Sequence, residues 1–171
     1  KEQLLKTERI LELEKHLNAK IIGQEEAVSA LGNAVRLGKV GLKPPKKPVG
    51  AFLFTGPTGV GKTELVYRLG AELGMPVIRY DMTEFKKPEN VSKLLGAPPG
   101  YVGHLDTENL LTTRVIKNPK SIILFDEIDK ILDVGLTREG TYGKTVLDIL
   151  LQMLEDGRLT DSHGKTADFS Q

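Results

Sequence analysis

Gly56-Pro57-Thr58-Gly59-Val60-Gly61-Lys62-Thr63 is the stretch on which the reading of this chain turns. It satisfies G-x-x-x-x-G-K-[ST]. Phosphate oxygens need several converging N–H donors, and a glycine-rich turn lets backbone amides curl around them. A helix beginning at Lys62 directs its positive end at the same anion. Lys62 is a mobile point charge with the reach for β- and γ-phosphates. Thr63 offers a hydroxyl to Mg2+, a hard cation that takes oxygen ligands. The flanks fit the motif. Val49 to Thr55, with two Phe, predicts a buried strand, and Leu65, Leu69 and Leu73 lie four apart in a helix predicted from Lys62 to Leu73 and stopped by Gly74.

A second element lies downstream in Ile122-Ile123-Leu124-Phe125-Asp126-Glu127. An apolar strand over Ser121 to Phe125, expected to be central, ends in two carboxylates at the carboxyl edge of the sheet, where ligands bind in open α/β folds. Strand alternation is expected to send Asp126 and Glu127 in different directions. Asp126 would then serve the magnesium shell, and Glu127 would polarise a water for in-line attack on the γ-phosphate. The bland alternative is a charged helix start, since acidic residues favour that position. Asp129 and Asp133 read as a solvated face.

The rest of the chain fills in an α/β pattern. Residues 1–18 predict a charged helix with Ile10, Leu13 and Leu17 at helical spacing, and Gln24 to Gly38 a second helix. The proline-rich stretch Gly41 to Pro48 is a loop whose lysines read as solvated. Val77 to Asp81 predicts a strand, and Pro88 to Leu95 and Leu110 to Lys117 predict helices, the latter closed by Asn118-Pro119. Gly143 to Asp156 predicts a helix with Leu147, Leu150, Leu151 and Leu154 as its apolar stripe and Gly157 as its cap. Arg158 to Phe169 predicts a hairpin turning at Asp161-Ser162-His163-Gly164. Strands alternating with helices imply an α/β fold with a mostly parallel sheet flanked by helices.

Composition removes several classes. The 171 residues contain no cysteine, which excludes a disulfide framework, a thiolate metal site and a thiol nucleophile. A net charge of +1 makes no global case for nucleic acid or anionic lipid. No apolar run approaches the roughly 20 residues of a membrane span, and no secretory signal is visible. The expectation is a cytoplasmic protein without membrane or nucleic-acid partners. His104 and His163 have no paired ligands and read as ordinary loop residues.

Six segments, in order, carry a family resemblance. They are Ile21-Ile22-Gly23-Gln24, the phosphate loop, Asp81-Met82-Thr83-Glu84-Phe85, Gly96-Ala97-Pro98-Pro99-Gly100-Tyr101-Val102-Gly103, Phe125-Asp126-Glu127-Ile128 and Asp156-Gly157-Arg158-Leu159-Thr160-Asp161. The series resembles the second ATPase module of the Clp-type AAA+ unfoldases, the ClpA branch in particular, from about residue 10 onward. The resemblance implies a P-loop AAA+ large subdomain over residues 1–171, with a leading helix over 1–20 and the core over 21–171. It implies a hexameric ring that uses ATP and Mg2+ to thread unfolded or tagged protein substrates through a central pore, in some members into a Clp-type peptidase. Ile21 and Ile22 would line the adenine pocket. Thr58, Gly59, Val60, Gly61, Lys62 and Thr63 would bind the phosphates. Thr63 and Asp126 would hold the metal, and Lys62 and Glu127 would act in catalysis. Tyr101, with Val102, would be the pore-loop group that grips substrate; an aromatic ring gives a large contact tolerant of sequence.

Departures from the family pattern carry their own expectations. The stretch His104 to Asn109 stands where the family shows a glycine pair, so the grip of the loop is expected to differ. Asp133 to Gly143 reads as an insertion of about ten residues forming a flexible loop. The sensor asparagine, the trans-acting arginine and the C-terminal helical lid do not occur within these residues, so the chain reads as truncated, and its own hydrolytic activity stays open. Two other functions fit the phosphate loop. One is an AAA+ remodeller of nucleic acid, such as a clamp or helicase loader, and the other a nucleotide-binding scaffold without turnover. In the hairpin Arg158 and Lys165 are offset by Asp161 and Asp168, which speaks against the first. The presence of both Lys62 and Glu127 speaks against the second.

Overall fold

Helices organise the part of the chain before Val77. The computed structural model describes residues 12–21, 23–39, 41, 44–57, 59–85, 88–97, 99–100, 107–131 and 141–171. Expectations for Ile10, Ile22, Thr58, Tyr101, Val102, His104 and Asp133 lie outside these residues. The chain divides into two compact units: the described residues to Pro45 together with Val49–Val77, and Lys46–Pro48 together with Ile78–Gln171.

In the first unit α1 (Leu13–Asn18), α2 (Glu25–Lys39) and α3 (Lys62–Leu73) bury one stripe each. Leu13 and Leu17 are buried, as are Val28 and Leu31 of α2 and Leu65, Val66 and Leu69 of α3. Side chains three and four apart on a helix share a face, so these stripes follow from the sequence. Gly74 ends α3 with a left-handed φ of 65°, and Met75 N–H bonds back to Gly70 O at 2.9 Å. On the surface Glu72 takes Lys20 and His16 as partners, and the Lys20 hydrogen bond holds its carboxyl below the ordinary value.

Val49–Thr55 corrects the sequence reading. No strand forms there, and Phe52 and Leu53 are 43% and 73% exposed. A helix satisfies its backbone internally, whereas a strand needs a neighbouring strand to accept and donate its hydrogen bonds. Apolar content alone supplies no such neighbour.

The second unit holds the sheet. The strand β1 (Val77–Asp81) leads into a 3-10 turn (Met82–Phe85), then α4 (Pro88–Leu95), α5 (Leu111–Lys117) and β2 (Ile122–Asp126). The strands β1 and β2 pair although two helices separate them in sequence, the crossover layout of an α/β fold. The strand expected to be central is half-buried along its length, with β1 its neighbour. Tyr80 and Phe125 stack with ring centroids 6.1 Å apart, and Phe85 meets Tyr80 edge-on at 6.3 Å. The Tyr80 hydroxyl donates to Asn109 O at 3.1 Å, and burial pushes its pKa up.

The last helix, α6 (Thr141–Asp156), also corrects the reading. Its buried face is Val146, Ile149 and Met153, packed in the core with Leu94 and Leu159, while Leu151 and Leu154 are 53% and 39% exposed. The helix is apolar on more than one face, and periodicity cannot choose between faces; α4 and β3 (Arg158–Thr160) supply the partner. Thr141 to Gly143, expected in the inserted loop, belong to α6, and residues 132–140 lie outside the described set. Gly157 closes α6 with a φ of 62°. The hairpin is as expected: β3 pairs antiparallel with β4 (Thr166–Asp168), with Leu159 opposite Ala167.

Candidate functional site

The phosphate loop sits at the head of α3. Gly59 and Gly61 have φ of 83° and 91°, a region open to glycine and strained for other residues. A Cβ at either would meet nothing within 4 Å, so the backbone angle, and not crowding, requires glycine there. Gly61 caps the helix, and Leu65 N–H returns to its carbonyl at 2.9 Å. The Lys62 ammonium donates to Gly56 O at 2.7 Å and to Pro57 O at 2.8 Å, which keeps the cation folded back over the glycine turn. Gln24 Nε2 donates to Val60 O at 3.2 Å, tying the Ile21-to-Gln24 segment to the loop, and Ile21 is buried. Open space before two left-handed glycines, a helix N-terminus and a poised ammonium together suit a polyphosphate.

The acidic pair closes β2. Asp126 is its last residue, and Arg79 of β1 donates to Asp126 Oδ2 through Nε at 3.0 Å and Nη2 at 2.8 Å. The same guanidinium lies 3.9 Å from Asp81, whose carboxyl is held below its ordinary value, first by the hydroxyl and amide of Thr83 and further by Arg79. Glu127 has left the strand. Its φ of 57° is left-handed for a residue with a Cβ, at a cost of about 1 kcal/mol. The chain therefore leaves the strand at Glu127 through a turn, and the strand alternation expected from sequence does not extend to it. Asp126 and the Thr63 hydroxyl are hard oxygen donors of the kind Mg2+ takes. Among the described residues no cluster of three acidic or histidine side chains forms a metal site by itself. Asp129 is exposed, as expected.

Two contributors to the site, and one buried contact outside it, escaped the sequence reading. Arg79 had a readable signal, a basic residue inside an apolar strand on the same face as Asp81. The contact of Gln24 with the phosphate loop had none, because it joins residues 36 apart. Asp161, read only as a residue of the hairpin turn, is 6% exposed and accepts a hydrogen bond from Thr112 Oγ1 at 2.6 Å. His163 Nδ1 lies 3.2 Å from Ser162 Oγ, and the His163 amide donates to Asp161 Oδ1 at 2.9 Å.

Comparison with known proteins defines the class. A profile of the AAA domain (Cdc48 subfamily) matches residues 47–171, well over half of the chain. The chain belongs to this family, and with its phosphate loop and acidic pair it is an AAA+ ATPase domain of the Clp type, the α/β class the sequence pattern implies. Over 166 residues it is 48% identical to the "ATP-dependent Clp protease ATP-binding subunit ClpC" of Staphylococcus aureus (strain USA300), and equally so to the protein of that name from Staphylococcus epidermidis. Each match covers 95% of this chain and 19% of the relative, so the chain spans about a fifth of those proteins. No helix among the described residues is long and apolar enough to cross a membrane.

Proposed function

We propose that this chain is the ATP-binding and hydrolysing module of a ring-forming protein unfoldase, one that threads polypeptides through a central pore and passes them to a Clp-type peptidase. The observation that carries the reading is the Lys62 ammonium, at a helix N-terminus, bonded back to the Gly56 and Pro57 carbonyls of the glycine-rich turn, in a chain 48% identical to Clp ATP-binding subunits. Bound ATP with its Mg2+ supplies the phosphoanhydride bond to be broken and the charge to be neutralised. The amides of Gly59 to Thr63 and the Lys62 ammonium hold the phosphates and match their charge. The Thr63 hydroxyl and the Asp126 carboxylate would hold the metal, and the paired hydrogen bonds from Arg79 aim that carboxylate. Glu127 takes the proton of the attacking water. Ile21 and Ile22 flank the adenine, and Tyr101 and Val102 grip the polypeptide.

The test uses the full-length protein. Tyr101→Ala is expected to abolish unfolding of a folded, fluorescent protein substrate in the presence of ATP. Unfolding at the parent rate overturns the threading role. Hydrolysis stimulated by nucleic acid and not by unfolded protein would turn the reading toward a nucleic-acid remodeller.

A further inference from the structure

The turn of the C-terminal hairpin holds both ends of one loop. Asp161 and Thr112 are the buried polar side chains among the described residues, and they bond to each other. Burying a carboxylate is costly unless its lone pairs are filled. Here Oδ2 takes the Thr112 hydroxyl, and Oδ1 takes the amides of His163 at 2.9 Å and Lys165 at 3.0 Å. An exposed aspartate would serve a hairpin turn as well without that cost, so the burial points to a task for the Thr112 contact. Thr112 stands at the start of α5, just after the loop that leaves α4.

The next residue reaches the other end of the same loop. Ser162 N–H donates to Leu95 O at 2.8 Å, and Ser162 Oγ donates to Ala97 O at 3.2 Å. Leu95 is the last residue of α4, and Ala97 is buried. Gly96 lies between them with a φ of 88°, and a Cβ there would meet Ser162 Oγ and lie 2.9 Å from His163 Cε1. Both its backbone angle and the approach of the turn demand glycine. Two consecutive residues, Asp161 and Ser162, thus fix where the loop begins and where it ends.

We infer that Asp161 and Ser162 are positioning residues for substrate engagement, stapling the entry (Leu95–Ala97) and the exit (Thr112) of the loop that carries Tyr101. The inference rests on the proposed grip role of that loop. Neither residue belongs to the nucleotide machinery, so their loss separates grip from hydrolysis. The loop's own residues grip, and the turn sets the span from which they act.

Three variants of the full-length protein test this: Asp161→Asn, Ser162→Ala and Thr112→Val, with Thr112→Ser as the conservative control. Basal ATP turnover is expected to stay unchanged in all four. Unfolding of a folded fluorescent substrate is expected to fall roughly tenfold in Asp161→Asn and Thr112→Val, less in Ser162→Ala, and to recover in Thr112→Ser. Hydrogen exchange is expected to quicken at Gly96 and Ala97 in Asp161→Asn and Ser162→Ala. Should Asp161→Asn fail to fold, Ser162→Ala, which removes one hydroxyl, decides. Parent-rate unfolding with unchanged exchange, or a proportional loss of turnover and unfolding, overturns the staple. If Tyr101→Ala also unfolds substrate at the parent rate, the grip reading fails and the inference falls with it. If Tyr101→Ala alone is defective, only the staple is lost.

Discussion

Val49–Thr55 and Ile122–Asp126 look alike as sequence. Each is a short apolar run ending at chemistry, the first at the phosphate loop and the second at the acidic pair. Only the second becomes a strand, with β1 as its neighbour and Phe125 stacked on Tyr80. The first forms no strand and leaves Leu53 73% exposed. The phosphate loop is built nonetheless. Its shape comes from glycine backbone angles, a helix cap and Lys62 bonding to the loop's own carbonyls, all within a few residues. The acidic pair depends on its strand, because Arg79 reaches Asp126 from the neighbouring β1. One half of the candidate chemistry is local, and the other needs tertiary pairing.

The sharpest break between the halves is catalytic. Glu127→Gln is expected to leave ATP bound and to slow turnover in the full-length protein by about 10³-fold, the worth of a general base. Undiminished single-turnover hydrolysis removes Glu127 from that role. Lys62→Ala is expected to weaken ATP binding by roughly 10²-fold, since a charge-assisted contact to phosphate is lost. Calorimetry showing unchanged affinity would break the local half. For stability, Phe125→Ala is expected to cost about 3 kcal/mol, as for a large aromatic removed from a core, and Leu53→Ala less than about 0.5 kcal/mol, as for an exposed side chain. Denaturant melts of the 171-residue chain in which the two variants behave alike would erase the contrast between the segments.

Asp161 sharpens the comparison at smaller scale. Asp161→Asn is expected to cost about 1–2 kcal/mol, as for a hydrogen-bonded charged group. Burial raises the Asp161 pKa, but the hydrogen bonds from Thr112, Lys165 and His163 outweigh it, and the carboxyl stays below its ordinary value. A folded-state pKa below the unfolded value means that the unfolded chain binds more protons. The contribution is therefore fully present above about pH 4 and is lost as the pH falls through the depressed folded value. Asp161→Asn is expected to flatten the stability profile in that acid range, as chemical melts at a series of pH values would show.

Much of this molecule was legible from sequence for physical reasons. Helices announce themselves by period, and the buried stripes of α1, α2 and α3 fall where the apolar spacing puts them. The hairpin turn at Asp161 to Gly164 was readable from its turn residues. On α6 the same signal misled, because leucines and the Val146-Ile149-Met153 stripe compete and only packing chooses. The direction of Glu127 was missed because a left-handed φ at a glutamate has no marker in the residue type.

The sequence by itself determined the glycine-rich turn ahead of α3, the helices, the strands β1 and β2 and the C-terminal hairpin. Each rests on backbone angles, helical period or side-chain chemistry that act over short stretches. The tertiary structure decided which apolar run became a paired strand, that Arg79 holds Asp126, and that Asp161 is buried against Thr112. These are contacts between residues 47 and 49 positions apart. No local signal carries them, because hydrogen bonding and burial at such distances depend on where the fold brings the chain back upon itself.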